Sequence, residues 1–246
     1  MTTVTDNGYS TYSQRFRGVE WYDEASKNDI IIGGIGGIGS HLCFLMSRMN
    51  PNYMYLFDGD TVEAANLSGQ LYSVSDIGEL KTNAIANTVK NYSGYYPVIC
   101  FNMYTNNSFA SNIMMCGFDN MTARKIFFKN WKEHTDSLSE EEKKNCLFVD
   151  GRLNCEKFQI FSITGNDDYH KDIYAKEYLF SDYEAESGSC SEKQTTYTAS
   201  MIASLMANVY VNFCSLKVGA VRTLPFFIEY DAKIMGLKTT DLTVQL

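Results

Sequence analysis

Histidine is scarce in this chain. His41, His134 and His170 are the only three among 246 residues, and none stands in a recognisable catalytic dyad with a neighbour. Chemistry that needs an imidazole general base therefore has few places to occur. The seven cysteines, at 43, 100, 116, 146, 155, 190 and 214, include no C-x-x-C pair, which argues against a structural zinc site of the usual spacing. Basic residues are also in deficit. Twenty-one Lys and Arg stand against 29 Asp and Glu, a formal charge of −8, so the broad basic face that a nucleic-acid binder needs is not expected. The N-terminus, "MTTVTDNGYSTYSQRFRG", has no apolar signal region. The stretch Thr198 to Leu216 carries no charge, but Ser, Thr and Asn dilute it, so it reads as a helix in a core or dimer interface rather than a membrane span. A cytoplasmic protein without membrane or nucleic-acid partners is the resulting expectation. There is no internal repeat and no clear linker, so residues 1–246 read as a single domain.

What is present is an alternation of strand-like and helix-like segments. "DIIIG" is β-branched without alternation, as in a strand buried on both faces of a parallel sheet. "YMYLFDGD", "PVICFNMY", "NIMMCGFD", "CLFVDGR" and "EKFQIFSITG" supply further strands. Helices are predicted after the glycines to about Met49, over "VSDIGELKTNAIANTVKNY" with Asp76 as cap, over "NMTARKIFFKNWKEH", and over the uncharged late stretch. Residues 166–193 read as a long mobile crossover loop, and "TLPFFIEYDAKIMGLKTT" as a terminal hairpin. The predicted fold class is α/β: a Rossmann-like, doubly wound, mostly parallel sheet with a C-terminal antiparallel hairpin.

Between the first strand and helix lies "GIGGIGS". Gly34, Gly36 and Gly39 form G-x-G-x-x-G, with Gly37 inside the turn. Gly34 allows the tight turn, Gly36 lets backbone N–H groups approach a phosphate, and Gly39 lets helix pack on strand. Asp58 closes the second strand, where a carboxylate can accept hydrogen bonds from a ribose. NAD and ATP both carry such a ribose, so these residues leave open a nicotinamide-dependent oxidoreductase and an ATP-using enzyme.

The next segment separates the two. "DGDTVEAANLSGQ" and "DIGELK", followed later by "FDNMTAR", resemble the ThiF/MoeB/HesA superfamily of ATP-dependent adenylating enzymes, which includes ubiquitin-activating enzymes. The resemblance runs well over residues 12–130. It implies ATP and Mg²⁺ as cofactors, a homodimer, and adenylation of the C-terminal carboxylate of a ubiquitin-like (β-grasp) protein or peptide. Asp58 would hold the ribose hydroxyls, Asn66 and Gln70 would shape the nucleotide pocket, Lys81 would touch the phosphates, and Asp119 would hold Mg²⁺. Arg15 or Arg17 would be the N-terminal arginine that reaches ATP in the partner subunit. Asp60 would assist the metal or cap a turn. Cys190, in polar surroundings before the late helix, is the candidate nucleophile for a thioester step, with an incidental surface cysteine as the alternative.

One departure stands out. Where the superfamily pattern N-L-x-R-Q has arginine, this chain has Gly69. A charge-assisted contact of that kind is worth about 1.5–3 kcal/mol. Arg124, Arg152 or an N-terminal arginine would have to substitute. Otherwise the chain is a catalytically weakened module that docks a ubiquitin-like partner or a nucleotide.

Overall fold

The structure is a computed structural model that describes residues 11–16, 18–180 and 195–242. Its eight described strands form one sheet in the order β3-β2-β1-β4-β5-β6-β7-β8. In chain order these are β1 (Asp29–Gly33), β2 (Tyr53–Phe57), β3 (Val98–Phe101), β4 (Ile113–Cys116), β5 (Leu147–Asn154), β6 (Lys157–Thr164), β7 (Pro225–Asp231) and β8 (Gly236–Leu242). The first five run parallel, and β6, β7 and β8 extend the sheet antiparallel. The Rossmann-like sheet and the C-terminal hairpin are thus as predicted. The helices are α1 (Glu20–Ala25), α2 (Gly37–Met49), α3 (Lys81–Ser93), α4 (Met121–Asp136), α5 (Glu140–Lys143), α6 (Asp168–Ile173) and α7 (Thr196–Lys217).

Strand periodicity explains the two layers. Ile30 and Ile32 point to one face with Met54, Leu56 and Val149, where α2, α3 and α7 pack through Leu42, Met46, Ile85, Ile202, Met206 and Phe213. Ile31 points to the other face with Phe57, Met114 and Phe148, covered by Phe127, Phe128 and Trp131 of α4 and by Tyr174. Covering both faces is what removes alternation from "DIIIG" and "IMMC", whose apolar residues are all fully buried. Helix α7 is long and apolar enough to span a bilayer, yet its Ile202, Ala203, Met206, Tyr210 and Phe213 lie in the core.

Two predicted elements differ. The third helix begins at Lys81, not near Asp76. Gly78 takes φ +93°, and a Thr61–Leu80 bridge ties the preceding segment back to the end of β2. Asp76 instead closes a capping box with Ser73 around a short 3₁₀ turn, leaving Ile77 exposed. The stretch from residue 166 is also not all loop. Asp167 accepts from the backbone N–H of His170 and starts α6, and a π turn, Tyr174–Tyr178, continues it. Tyr174 anchors that turn among Phe128, Phe148 and Phe161. Residues 181–193 of the predicted loop lie outside the described residues.

Candidate functional site

From β1 the chain moves to β2 and β3 on one side, then returns to β4 on the other. The crevice at the carboxyl ends of β1 and β4 is the switch point where sheets of this kind bind ligands. A cavity of 440 Å³ opens there, lined by Gly34, Gly36, Asp58, Lys81, Phe118 and Asp119 among others.

The glycines make it possible. Gly34 has φ +80°, and a Cβ there would fall 2.6 Å from the Phe118 backbone nitrogen, so the loop after β4 could not cross. A Cβ on Gly39 would fall 1.9 Å from the Gly34 carbonyl oxygen. Gly36 differs: its Cβ would meet only Gln70 Nε2, at 3.9 Å, which leaves a cradle open toward the cavity. It precedes Gly37, the first residue of α2, and no side chain caps that helix start. Uncapped N–H groups at a helix N-terminus suit a phosphate.

Asp58 is held in place from both oxygens. Oδ2 accepts from the Ile35 N–H at 2.7 Å and Oδ1 from the Asp60 N–H at 2.9 Å. Burial pushes its carboxyl above the usual range, while those two N–H groups and the Lys81 ammonium pull the other way. Lys81, the first residue of α3, is buried and donates from Nζ to Asp60 Oδ2 at 2.8 Å. Asp119 is exposed in the loop after β4, where Oδ1 accepts from Asn120 Nδ2 at 3.1 Å. Asn120 caps α4 by accepting from the Ala123 N–H at 2.8 Å, which fixes the loop end that carries Asp119.

The structure therefore brings Gly34, Gly36, Gly37, Asp58, Asp60, Gln70, Lys81 and Asp119 to one cavity, with Gly39 directly behind it. It does not bring Asn66, whose Oδ1 accepts from the Glu63 N–H at 2.9 Å in a capping box. Arg15 is exposed on the 3₁₀ turn Thr11–Phe16 and is not part of the lining. Arg17 and Cys190 lie outside the described residues. Arg124 and Arg152 do not replace the missing arginine. Both are committed to the fully buried Asp150: Arg124 through Nη1, and Arg152 through Nε at 2.7 Å. Tyr174 OH adds a bond to Asp150 Oδ2 at 2.8 Å.

The sequence reading missed Tyr72, whose hydroxyl donates to the Ile35 carbonyl at 2.6 Å and braces the glycine turn. It missed the apolar wall of Met103, Tyr104 and Ile126 as well. The position of "NMY" just past the third strand was the available signal. It also missed an Asp–His pair. His170 Nδ1 lies 2.7 Å from Asp167 Oδ2, and the ring stacks on Phe226. That pair follows β6, whose end faces the start of β5, so it lies at the amino ends of the parallel strands, opposite the cavity. A second cavity, of 430 Å³, opens near Asp29, Tyr55, Phe109 and His134 at the amino ends of the strands, and holds none of the motif residues.

The residues at the switch point fit both groups that the motifs imply. The Gly36 cradle and the helix N-terminus suit a nucleotide phosphate. Mg²⁺ uses one or two carboxylates plus substrate phosphates and keeps several waters, so one exposed aspartate suffices. Among the described residues no group of three or more His, Cys, Asp or Glu is placed to hold a metal ion.

A Rossmann-like sheet with a glycine cradle, a strand-end aspartate and a lysine at its switch point defines the class: a doubly wound α/β protein with a ligand crevice at the carboxyl ends of its strands. Within that class, the chain matches the ThiF family over residues 9–244 and belongs to it. Ubiquitin-like modifier-activating enzyme 5 of Oryza sativa subsp. japonica is 33% identical over 106 residues, covering 42% of this chain and 24% of that protein. The enzyme of the same name from Arabidopsis thaliana is 33% identical over 88 residues, 35% of this chain and 20% of that protein. The chain thus matches a quarter or less of these curated relatives. Among solved structures, E. coli MccB with ATP superposes with a TM-score of 0.71 at 16% identity, covering 95% of this chain and 72% of that one. PaaA gives 0.67 at 14% identity, covering 90% and 66%. At these identities the likeness is one of fold.

Proposed function

We propose that this chain is an ATP-dependent adenylating enzyme that activates the C-terminal carboxylate of a ubiquitin-like (β-grasp) protein or peptide. The observation that carries the reading is the convergence of Asp58, Lys81 and Asp119 with the Gly34–Gly39 turn around one cavity. Membership of the ThiF family supports it, as do the names of the relatives: ubiquitin-like modifier-activating enzyme 5, and MccB solved with MccA.

A carboxylate is a poor acyl donor because its leaving group would be oxide. Its oxygen attacks the α-phosphorus of ATP, the bond from that phosphorus to the bridging oxygen breaks, and pyrophosphate leaves. No general base is needed, since the attacking group is already ionised. The demands are alignment and charge shielding. Asp58 would orient the ribose, the amides near Gly36 would receive phosphate, and Lys81 would offset charge building at phosphorus. Asp119 would hold Mg²⁺, which shields the polyphosphate. Cys190 is the proposed acceptor in a second step, in which its thiolate takes the acyl group and AMP departs. The enzyme would act as a homodimer in the cytoplasm.

The test is ATP–pyrophosphate exchange with β-grasp proteins and short peptides as acyl donors. Exchange is expected with the correct donor, and Asp119→Ala is expected to reduce it by at least about a hundredfold, the scale of losing one electrostatic stabiliser of a transition state. Retention of full exchange by that variant would remove Asp119 from the reaction. Cys190→Ala should leave exchange intact and abolish any thioester detected by mass spectrometry.

A second reading, a binding module with weakened catalysis, is favoured by Gly69 and by the engagement of Arg124 and Arg152 with Asp150. Nucleotide binding without exchange for any donor would select it.

A further inference from the structure

The phosphate end of the cavity has an unusual charge balance. Among the described residues lining it, three carboxylates, Asp58, Asp60 and Asp119, face one cation, Lys81. Two arginines near this end of the sheet, the buried Arg124 and the partly buried Arg152, are tied to Asp150. Lys81 is not free either. Its side chain is 9% exposed and its ammonium is bonded at 2.8 Å to Asp60, whose side chain is 71% exposed.

The pair is built into the backbone. The Lys81 N–H donates to the Asp60 carbonyl at 2.9 Å, and the Asp60 N–H donates to Asp58 Oδ1 at 2.9 Å. Asp60 is therefore fixed at both its backbone and its side chain, directly beside the one ammonium among the described residues that line the cavity. A half-exposed ion pair of this kind contributes little to folding. Its consequence is electrostatic: the lysine is neutralised before any ligand arrives, and an incoming polyanion meets an excess of negative charge.

We propose that Asp60 is the positioning residue that makes phosphate binding at this site conditional on a divalent cation. It acts through Lys81, by occupying the ammonium that a metal-free polyphosphate would otherwise bind. A nucleotide already carrying Mg²⁺ has less charge to place and can share Lys81 with Asp60. A metal-free nucleotide must break the pair and also face the carboxylate it leaves behind. The inference rests on the adenylating reading of the same cavity.

Calorimetric titrations of the full chain with ATP plus EDTA, with Mg·ATP, and with adenosine test it, using wild type, Asp60→Asn, Lys81→Met and the double variant. Asp60→Asn is expected to bind metal-free ATP about three- to tenfold tighter than wild type, the scale of releasing one charged contact. Mg·ATP affinity should gain clearly less than metal-free ATP affinity does, or fall, since the metal already covers phosphate charge. Adenosine affinity should not change, and in the Lys81→Met background most of the gain should vanish. An unchanged or weaker metal-free ATP affinity in Asp60→Asn overturns the proposal. So does a gain that survives intact without Lys81, or an equal shift for adenosine. A wild type that binds neither adenosine nor Mg·ATP would instead sink the adenylating reading itself.

Discussion

Gly36 and Gly39 are three residues apart in one turn, yet they answer to different constraints. A methyl group on Gly39 would collide with the Gly34 carbonyl at 1.9 Å, backbone against backbone. Gly39→Ala is therefore expected to cost about 1–3 kcal/mol or more, read as a lower urea midpoint. The same methyl on Gly36 meets nothing closer than 3.9 Å. Gly36→Ala should unfold near the wild-type midpoint and yet bind ATP more weakly, because the methyl occupies the phosphate cradle. A parallel fall in both properties for both variants would contradict this division. Gly69 has a φ of −137°, which is open to any side chain, so Gly69→Arg should fold. If the absent arginine limits affinity, that variant should bind Mg·ATP about tenfold tighter or more by calorimetry, in line with a charge-assisted contact. The three glycines were readable from spacing. Asn66 was not: its Oδ1 serves a local cap, a choice made by the turn around it.

Among the elements, Asp150 joins three that are distant in the chain. It lies on β5, pairs with Arg124 of α4 and Arg152 of its own strand, and accepts from Tyr174 after α6. Arg124 also reaches the Phe118 carbonyl, in the loop that carries Asp119. Asp150→Asn would leave two guanidinium groups without their carboxylate inside the protein, a loss of about 3–5 kcal/mol, measurable as a fall in Tm. Burial alone would push the Asp150 carboxyl up most strongly. The guanidinium groups of Arg124 and Arg152, with hydrogen bonds from Arg152 and Tyr174, outweigh it and hold the carboxyl below the usual range. A depressed carboxyl contributes stability that is present above its unfolded value of about 4 and is lost as pH falls toward the folded value. Urea midpoints measured from pH 6 down to pH 3 should therefore fall more steeply at the acid end for wild type than for Asp150→Asn. Helix α6 shows why element boundaries were harder to read than strands. Only six residues long, it is too short for a clear apolar period, and it is held by Tyr174 packing against three rings from β5, β6 and α4.

For the whole molecule, the eight-stranded sheet converts a linear alternation of segments into one crevice. Residues from four separate stretches meet there: Gly34 and Gly36, then Asp58 and Asp60, then Gln70 and Lys81, then Asp119. The fold class, the parallel strands and the terminal hairpin were legible because both faces of the sheet are covered, which removes alternation from its central strands, and because turns punctuate the chain. The short-range physics of glycine turns, strand periods and motif spacing acts between neighbours in the chain and survives in a linear reading. What a charged side chain finally touches does not. Arg124 and Arg152 stood as substitutes for a missing arginine until folding enclosed them around Asp150, and Lys81 stood as a free phosphate ligand until Asp60 was set beside it. The energy of a charge depends on its surroundings in three dimensions, on burial and on opposite charges a few ångströms away, and only the assembled tertiary structure specifies those.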